Sequence, residues 1–149
     1  MKSLKIALIF CIILLALAAV YVAAFATRDK STWVCIKDAC FNVNVADTPA
    51  KRERGLMFAQ NLKPDAGMLF IFEQNNTYPF WMKNTLIPLD IVWLDEDKKI
   101  IFIKNNARPC GTDLCPSIVP AVKARYVLEV NADTAERLEW KIGDAMQIK

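Results

Sequence analysis

The sequence predicts a mainly β domain: a single compact β-barrel or β-sandwich of about seven or eight short strands with two short helices, preceded by an N-terminal hydrophobic segment. Two observations predict it, and a third, the cysteine spacing, points to disulfides. Residues 32–149 break into apolar runs of strand length separated by turn residues. Only two stretches read as helices, and each is closed within a few residues by glycine. Outside the hydrophobic segment, the cysteines fall as two pairs of identical spacing, Cys35-IKDA-Cys40 and Cys110-GTDL-Cys115.

Residues 1–26 form the first region. The run IALIFCIILLALAAVYVAAFA, Ile6 to Ala26, carries no charge and is long enough for a bilayer core, which takes about 20 apolar residues. Secretory signals have a shorter apolar centre of about 7 to 15 residues, so length favours an uncleaved signal anchor. Ala24-Phe25-Ala26 before Thr27 is the small-x-small pattern of a signal peptide cleavage site, which favours removal. Either reading exports the rest. The protein is then a single-pass membrane protein with a cytoplasmic amino terminus, or a secreted one if cleaved, because Lys2 and Lys5 form the more basic flank. Cys11 lies inside the apolar run and reads as membrane-packed.

Residues 27–31 are a polar linker too short for a flexible stalk: five extended residues reach about 18 Å at most. The β-rich domain, 32–149, follows. Thr32–Ile36 and Cys40–Val45 are rich in β-branched and aromatic residues, and Lys37-Asp38 between them turns the pair into a hairpin with the two cysteines opposite each other near its tip. Thr48-Pro49 starts a helix, with the hydroxyl as cap and proline preset for the first turn, and Gly55 ends it. Gly67–Phe72 is a continuous apolar strand; Pro79–Lys83 is another. Leu89–Leu94 and Lys99–Lys104 form a hairpin across the charged turn Asp95–Lys98. Asn105–Pro120 is a long irregular segment carrying three prolines and the second cysteine pair, and such a loop needs tying down. Tyr126–Val130 is a strand. Asp133-Thr134-Ala135-Glu136 has the capping-box pattern of a helix that runs through Trp140, presents Ala135, Leu138 and Ile142 on one face and ends near Gly143. Met146–Lys149 is a closing strand.

Composition narrows the chemistry. Of 19 Lys plus Arg, Lys2 and Lys5 precede the apolar run, leaving 17 against 16 Asp plus Glu, a nearly neutral domain that argues against a nucleic-acid partner. There is no histidine, which removes the usual general base and the commonest metal ligand. An even number of cysteines in an exported domain reads as disulfides, and three connectivities are open. Zinc usually wants two residues between paired ligands rather than four. No cofactor is implied.

The order of motifs is more specific than any one of them: RERGLMF at Arg52–Phe58, GMLFIF at Gly67–Phe72, FWMKNTLIPLDIVWLD at Phe80–Asp95, Pro109-Cys110, Cys115-Pro116 and YVLEV at Tyr126–Val130. This order resembles the family called domain of unknown function 192, over about Val34 to Ile148. The resemblance implies a small, mainly β, often exported fold with no assigned activity. Cys110 and Cys115 fall within the family's motifs while Cys35 and Cys40 lie outside them, which favours local pairing, 35 with 40 and 110 with 115.

Five residues stand out as a candidate binding site: Arg54, Trp81, Lys83, Asn84 and Asp90. Lys83 and Asn84 sit in an aromatic run, where fixed polar groups at the mouth of an apolar cavity supply specificity. Arg54 before Gly55 offers a planar fork to anions. Asp90, between Leu89 and Ile91, needs a partner if it points inward, and Lys83 and Arg54 are the candidates. The leading expectation is a membrane-proximal module that binds a small polar ligand or an envelope protein. The alternatives are an enzyme using Lys83, Asp90 and Arg54 for acid-base chemistry, a copper site drawing on Met57, Met68 and Met82, and a redox role for the cysteines, which four intervening residues suit poorly.

Overall fold

The computed structural model describes residues 10–18, 30–112 and 114–149. The chain divides into two units, 1–30 and 31–149. In the first, residues 10–18 are helical (α1). Among the described residues no helix is long and apolar enough to cross a membrane; the span expected over 6–26 and the linker as far as residue 29 lie largely outside them.

The second unit is one seven-stranded sheet: β1 (Ser31–Ile36), β2 (Ala39–Ala46), β3 (Ala66–Asn76), β4 (Leu89–Leu94), β5 (Ile100–Ala107), β6 (Ala124–Asn131) and β7 (Met146–Ile148), with α2 (Pro49–Arg54) and α3 (Thr134–Arg137) between them. The order across the sheet is β5-β4-β6-β3-β2-β1-β7. Every pairing is antiparallel except β2 with β3. Parallel neighbours need a crossover, and α2 lies in it. Thr48 caps α2 by accepting from the Lys51 amide, and Gly55 stops it with φ 47°, so both expected signals operate.

The sheet curls into a half-barrel whose two ends meet. The Ile100 amide donates to the Asp144 carbonyl at 2.9 Å, the Met146 amide donates to the Lys98 carbonyl at 2.8 Å, and Lys99 bridges Ala145. The architecture is therefore the barrel side of the expectation, not two packed sheets. Side chains alternate between faces along each strand. Val34, Ile36, Val43, Leu69, Val92, Leu128 and Val130 belong to one core together with Trp140 and Met146. Phe70, Leu89, Ile91, Trp93 and Val127 belong to a second core that includes Leu56, Met82 and residues of the long connections. Sandwiched between the two, β4 is buried at every position.

Three local expectations are corrected. Pro79–Lys83 is not a strand of the sheet: Phe80 bridges Ile118 and Lys83 bridges Cys110, so the segment pairs with the loop after β5 and lies over the second core, Phe80 packing edge-on to Phe70 and Trp93. α3 covers only Thr134–Arg137; Trp140 is buried, whereas Ile142 is 63 % exposed rather than on a packed face. The capping box does not form either. Asp133 has φ 64° and its side chain caps nothing. Asp90 caps instead, from 45 residues away: one carboxylate oxygen accepts from Ala135 at 2.8 Å, and the other accepts from Asp133 at 3.2 Å and Asn106 at 2.9 Å. Asp90 thereby satisfies the Ala135 amide, one of the free donors of the helix's first turn.

Both cysteine pairs form local disulfides, Cys35–Cys40 across the β1–β2 register and Cys110–Cys115 within the loop after β5.

Candidate functional site

Glu129 stands in the middle of β6, an interior strand, directly opposite Met68 on β3 and Ile91 on β4. Opposed residues share a face, which puts its carboxyl on the side of the second core. Glu129 is 4 % exposed, and its Oε2 is buried with no hydrogen-bond partner among the described residues. An ionised carboxylate in such a place is expensive, and burial accordingly pushes this group up from 4.5 to about 8. At neutral pH Glu129 is an un-ionised acid and holds a proton it can donate.

A pocket of about 30 Å³ opens beside Glu129, lined also by Arg54, Met57, Lys83 and Thr85. It shares Arg52, Glu53, Phe70, Phe80 and Trp81 with a wider groove of about 240 Å³, whose far wall is Phe72, Tyr78 and Pro79. The groove is held stiffly. Phe72 and Tyr78 stack at 3.5 Å between centroids, the Tyr78 hydroxyl donates to the Gln74 carbonyl at 2.8 Å, and the Trp93 indole donates to the Tyr78 carbonyl at 3.0 Å. Arg52 donates to the Ile71 carbonyl at 2.9 Å and lies 5.2 Å over the Phe72 ring, so its guanidinium is a wall. Trp81 keeps 43 % of its surface exposed, with the Lys83 ammonium 5.7 Å from its ring centroid.

The expected residues thus divide. Arg54, at the end of α2, Trp81 and Lys83 come together at the pocket. Asn84 serves the frame: with φ 55° it turns the chain, its carbonyl accepts from Phe58 at 2.8 Å and its amide donates to the Cys110 carbonyl at 2.9 Å. Asparagine tolerates that left-handed conformation better than most residues. Asp90 is not at the pocket. It precedes Ile91, which shares the Glu129 face, so it points to the other side of the sheet, where backbone amides rather than Lys83 or Arg54 satisfy it. Met82 is buried in the second core with Met68 packed against it, and Met57 is on the pocket wall.

Sequence reasoning missed Glu129, although YVLEV places a carboxyl where every neighbour is apolar or aromatic. The signal was of the same kind as the one followed at Asp90. Gly67 also shapes this part of the sheet. A β-carbon there would lie 2.6 Å from the Glu129 carbonyl oxygen, so glycine permits the close approach of β3 to β6 beside the acid.

Comparison with known proteins places these features in a wider group. The DUF192 family model, described as Uncharacterized ACR, matches residues 32–148. Two curated relatives are called UPF0127 protein. One, from Thermococcus sibiricus, is 29 % identical over 68 % of this chain; the other, from Thermococcus gammatolerans, is 28 % identical over 69 %. The matches span 62 % and 63 % of those relatives' own lengths. A crystal structure from Sinorhizobium meliloti 1021, of a protein provisionally called a transcription regulator, superposes with a TM-score of 0.75 at 34 % identity, covering 80 % of this chain and 95 % of that one. A protein of unknown function from Novosphingobium aromaticivorans superposes with a TM-score of 0.72 at 32 % identity, covering 80 % of this chain and 84 % of that one.

Proposed function

Since the chain belongs to the uncharacterised DUF192 family, we propose its function from its own site: the domain is a binding module for a small polar ligand. One observation carries this reading. A buried carboxyl, its Oε2 without a partner among the described residues, lines a pocket that Arg54, Trp81 and Lys83 also line, next to an aromatic groove. Concave, largely apolar sites with a few convergent polar groups are where ligands bind. An envelope protein presenting such a group is the alternative occupant. The domain works outside the cytoplasmic membrane, tethered through residues 6–26 or released after Ala26; its two disulfides support this, since such bridges persist in oxidising compartments. The nearly balanced charge of the domain supports a partner other than nucleic acid.

A second reading, general acid-base catalysis, is favoured by Glu129 itself. A carboxyl near 8 in a cleft with a lysine suits proton transfer at neutral pH, with Glu129 in the role that Asp90 cannot fill.

A ligand screen read by tryptophan fluorescence and thermal shift tests the binding reading. Saturable hits should be lost in Trp81→Ala and weakened in Arg54→Ala and Lys83→Met, with melting temperatures near wild type. Hits insensitive to all three variants, or none at all, would remove it. Turnover of a hit that Glu129→Gln abolishes would decide for the enzyme.

A further inference from the structure

We infer that the ligand presents a carboxylate to the inner pocket, where the Glu129 side chain donates a hydrogen bond to it and Arg54 and Lys83 supply counter-charge, while a flat apolar body lies in the outer groove. This rests on the ligand-binding reading and names its chemical class. Three observations lead there.

Size comes first. A water needs about 10–15 Å³ of such space, so about 30 Å³ holds two waters or a head group of that size. A planar carboxylate fits this; a ring does not. The adjoining groove, about 240 Å³ and walled by Phe72, Tyr78, Phe80 and Trp81, takes the ring instead.

Charge is the second. Among the described residues, the ionisable side chains lining the pocket are Arg52, Glu53 and Arg54 from α2, Lys83 from the segment over the second core, and Glu129 from β6. Its strand neighbours on β3 and β4, Met68 and Ile91, carry none. With Glu129 un-ionised, the described lining residues set three cations against one carboxylate, which favours an anionic ligand over a cationic one.

Donor chemistry is the third. Arginine and lysine only donate, and an un-ionised Glu129, which also lines the pocket, adds an O–H donor, its Oε2 having no partner among the described residues. A carboxylate is an acceptor-only group with two oxygens, and charge-assisted bonds to it are the strong ones. A hydroxyl or amide would bring its own donors to a pocket already rich in them. The displacement of the Glu129 carboxyl to about 8 agrees with the geometry, since the proton needed for donation stays in place at neutrality.

The test uses the full chain and a matched pair of probes, phenylacetate and phenylacetamide, with binding followed by calorimetry. Phenylacetate should bind at least tenfold more tightly than the amide at about pH 7. Its affinity should fall about tenfold between about pH 7 and pH 9, as a donor that titrates near 8 loses its proton. Glu129→Gln, which keeps a donor and cannot ionise, should hold the affinity at the lower pH within a few fold and erase the fall at the higher one. Equal binding of amide and carboxylate, a pH profile unchanged in Glu129→Gln, or tighter binding of inorganic phosphate than of phenylacetate would each overturn the inference. If the two probes bind equally and Trp81→Ala abolishes both, the ligand-binding reading stands and the carboxylate alone falls. If no probe and no screened compound binds, both fall together.

Discussion

Replacing Glu129 with glutamine should stabilise this protein, and increasingly so as the pH rises. The folded state holds the Glu129 proton up to about 8, whereas an exposed carboxyl releases it near 4.5. Between those values the unfolded chain binds fewer protons than the folded one, so folding stability falls as pH rises through the window and is flat above it. Each unit of pKa displacement corresponds to about 1.4 kcal/mol. The whole window is therefore worth about 5 kcal/mol, with about 3 kcal/mol already lost by pH 7. Glutamine copies the shape of the un-ionised acid and does not titrate. Urea unfolding followed by tryptophan fluorescence, with disulfides intact, gives the free energy of both proteins across the pH range. The difference between variant and wild type should be small near pH 4, grow by about 1.4 kcal/mol per unit from about 5 to 8, and then level off. Two curves that stay parallel across that interval would show that the carboxyl titrates normally and would refute the reasoning.

Asp90→Ala removes the acceptor for three backbone amides and should cost about 3 kcal/mol or more, while Lys83→Met should cost little; thermal melts of the double variant should be additive, and strong coupling would mean that the two charges interact after all. Gly67→Ala forces a carbon against the Glu129 carbonyl and should destabilise by about 1 to 3 kcal/mol, measurable by the same urea titration; a neutral result would show that β3 and β6 separate easily. Because both disulfides close short loops, each should contribute about 2 kcal/mol, and the fold should persist in reductant, with circular dichroism as the check. Protease added outside intact spheroplasts should digest the domain; complete protection would count against export.

Much of the fold was legible because strand signals are local. The β1–β2 hairpin follows from alternation on either side of Lys37-Asp38, and β4 is the apolar run Leu89–Leu94 to the residue. What failed depended on partners far away in sequence. Pro79–Lys83 has strand-like composition, yet its pairing is decided by the loop near Cys110 and Ile118. The box at Asp133 is correct as a pattern and was overridden by a carboxylate arriving from β4. The site was half legible for the same reason. Arg54, Trp81 and Lys83 advertise themselves as polar or aromatic residues in motifs, and they do converge. Asp90 and Glu129 look alike in sequence, each an acid inside an apolar strand, and the periodicity of two cannot say which face of a sheet with two cores carries the pocket. Only the register does: Ile91 and Glu129 are opposed, so Asp90 faces away.

That partition bears on how such a domain diversifies. The first core and the core beneath the pocket occupy opposite sides of the same strands. The outer side is finished by segments borrowed from α2, from 77–88 and from the loop after β5. A descendant could exchange Trp81, Lys83 or Tyr78 and acquire a new ligand while the first core went on folding unchanged. Glu129 is the exception, because its backbone belongs to the barrel and its carboxyl to the pocket, so a lineage that no longer needed the acid would gain stability by losing it.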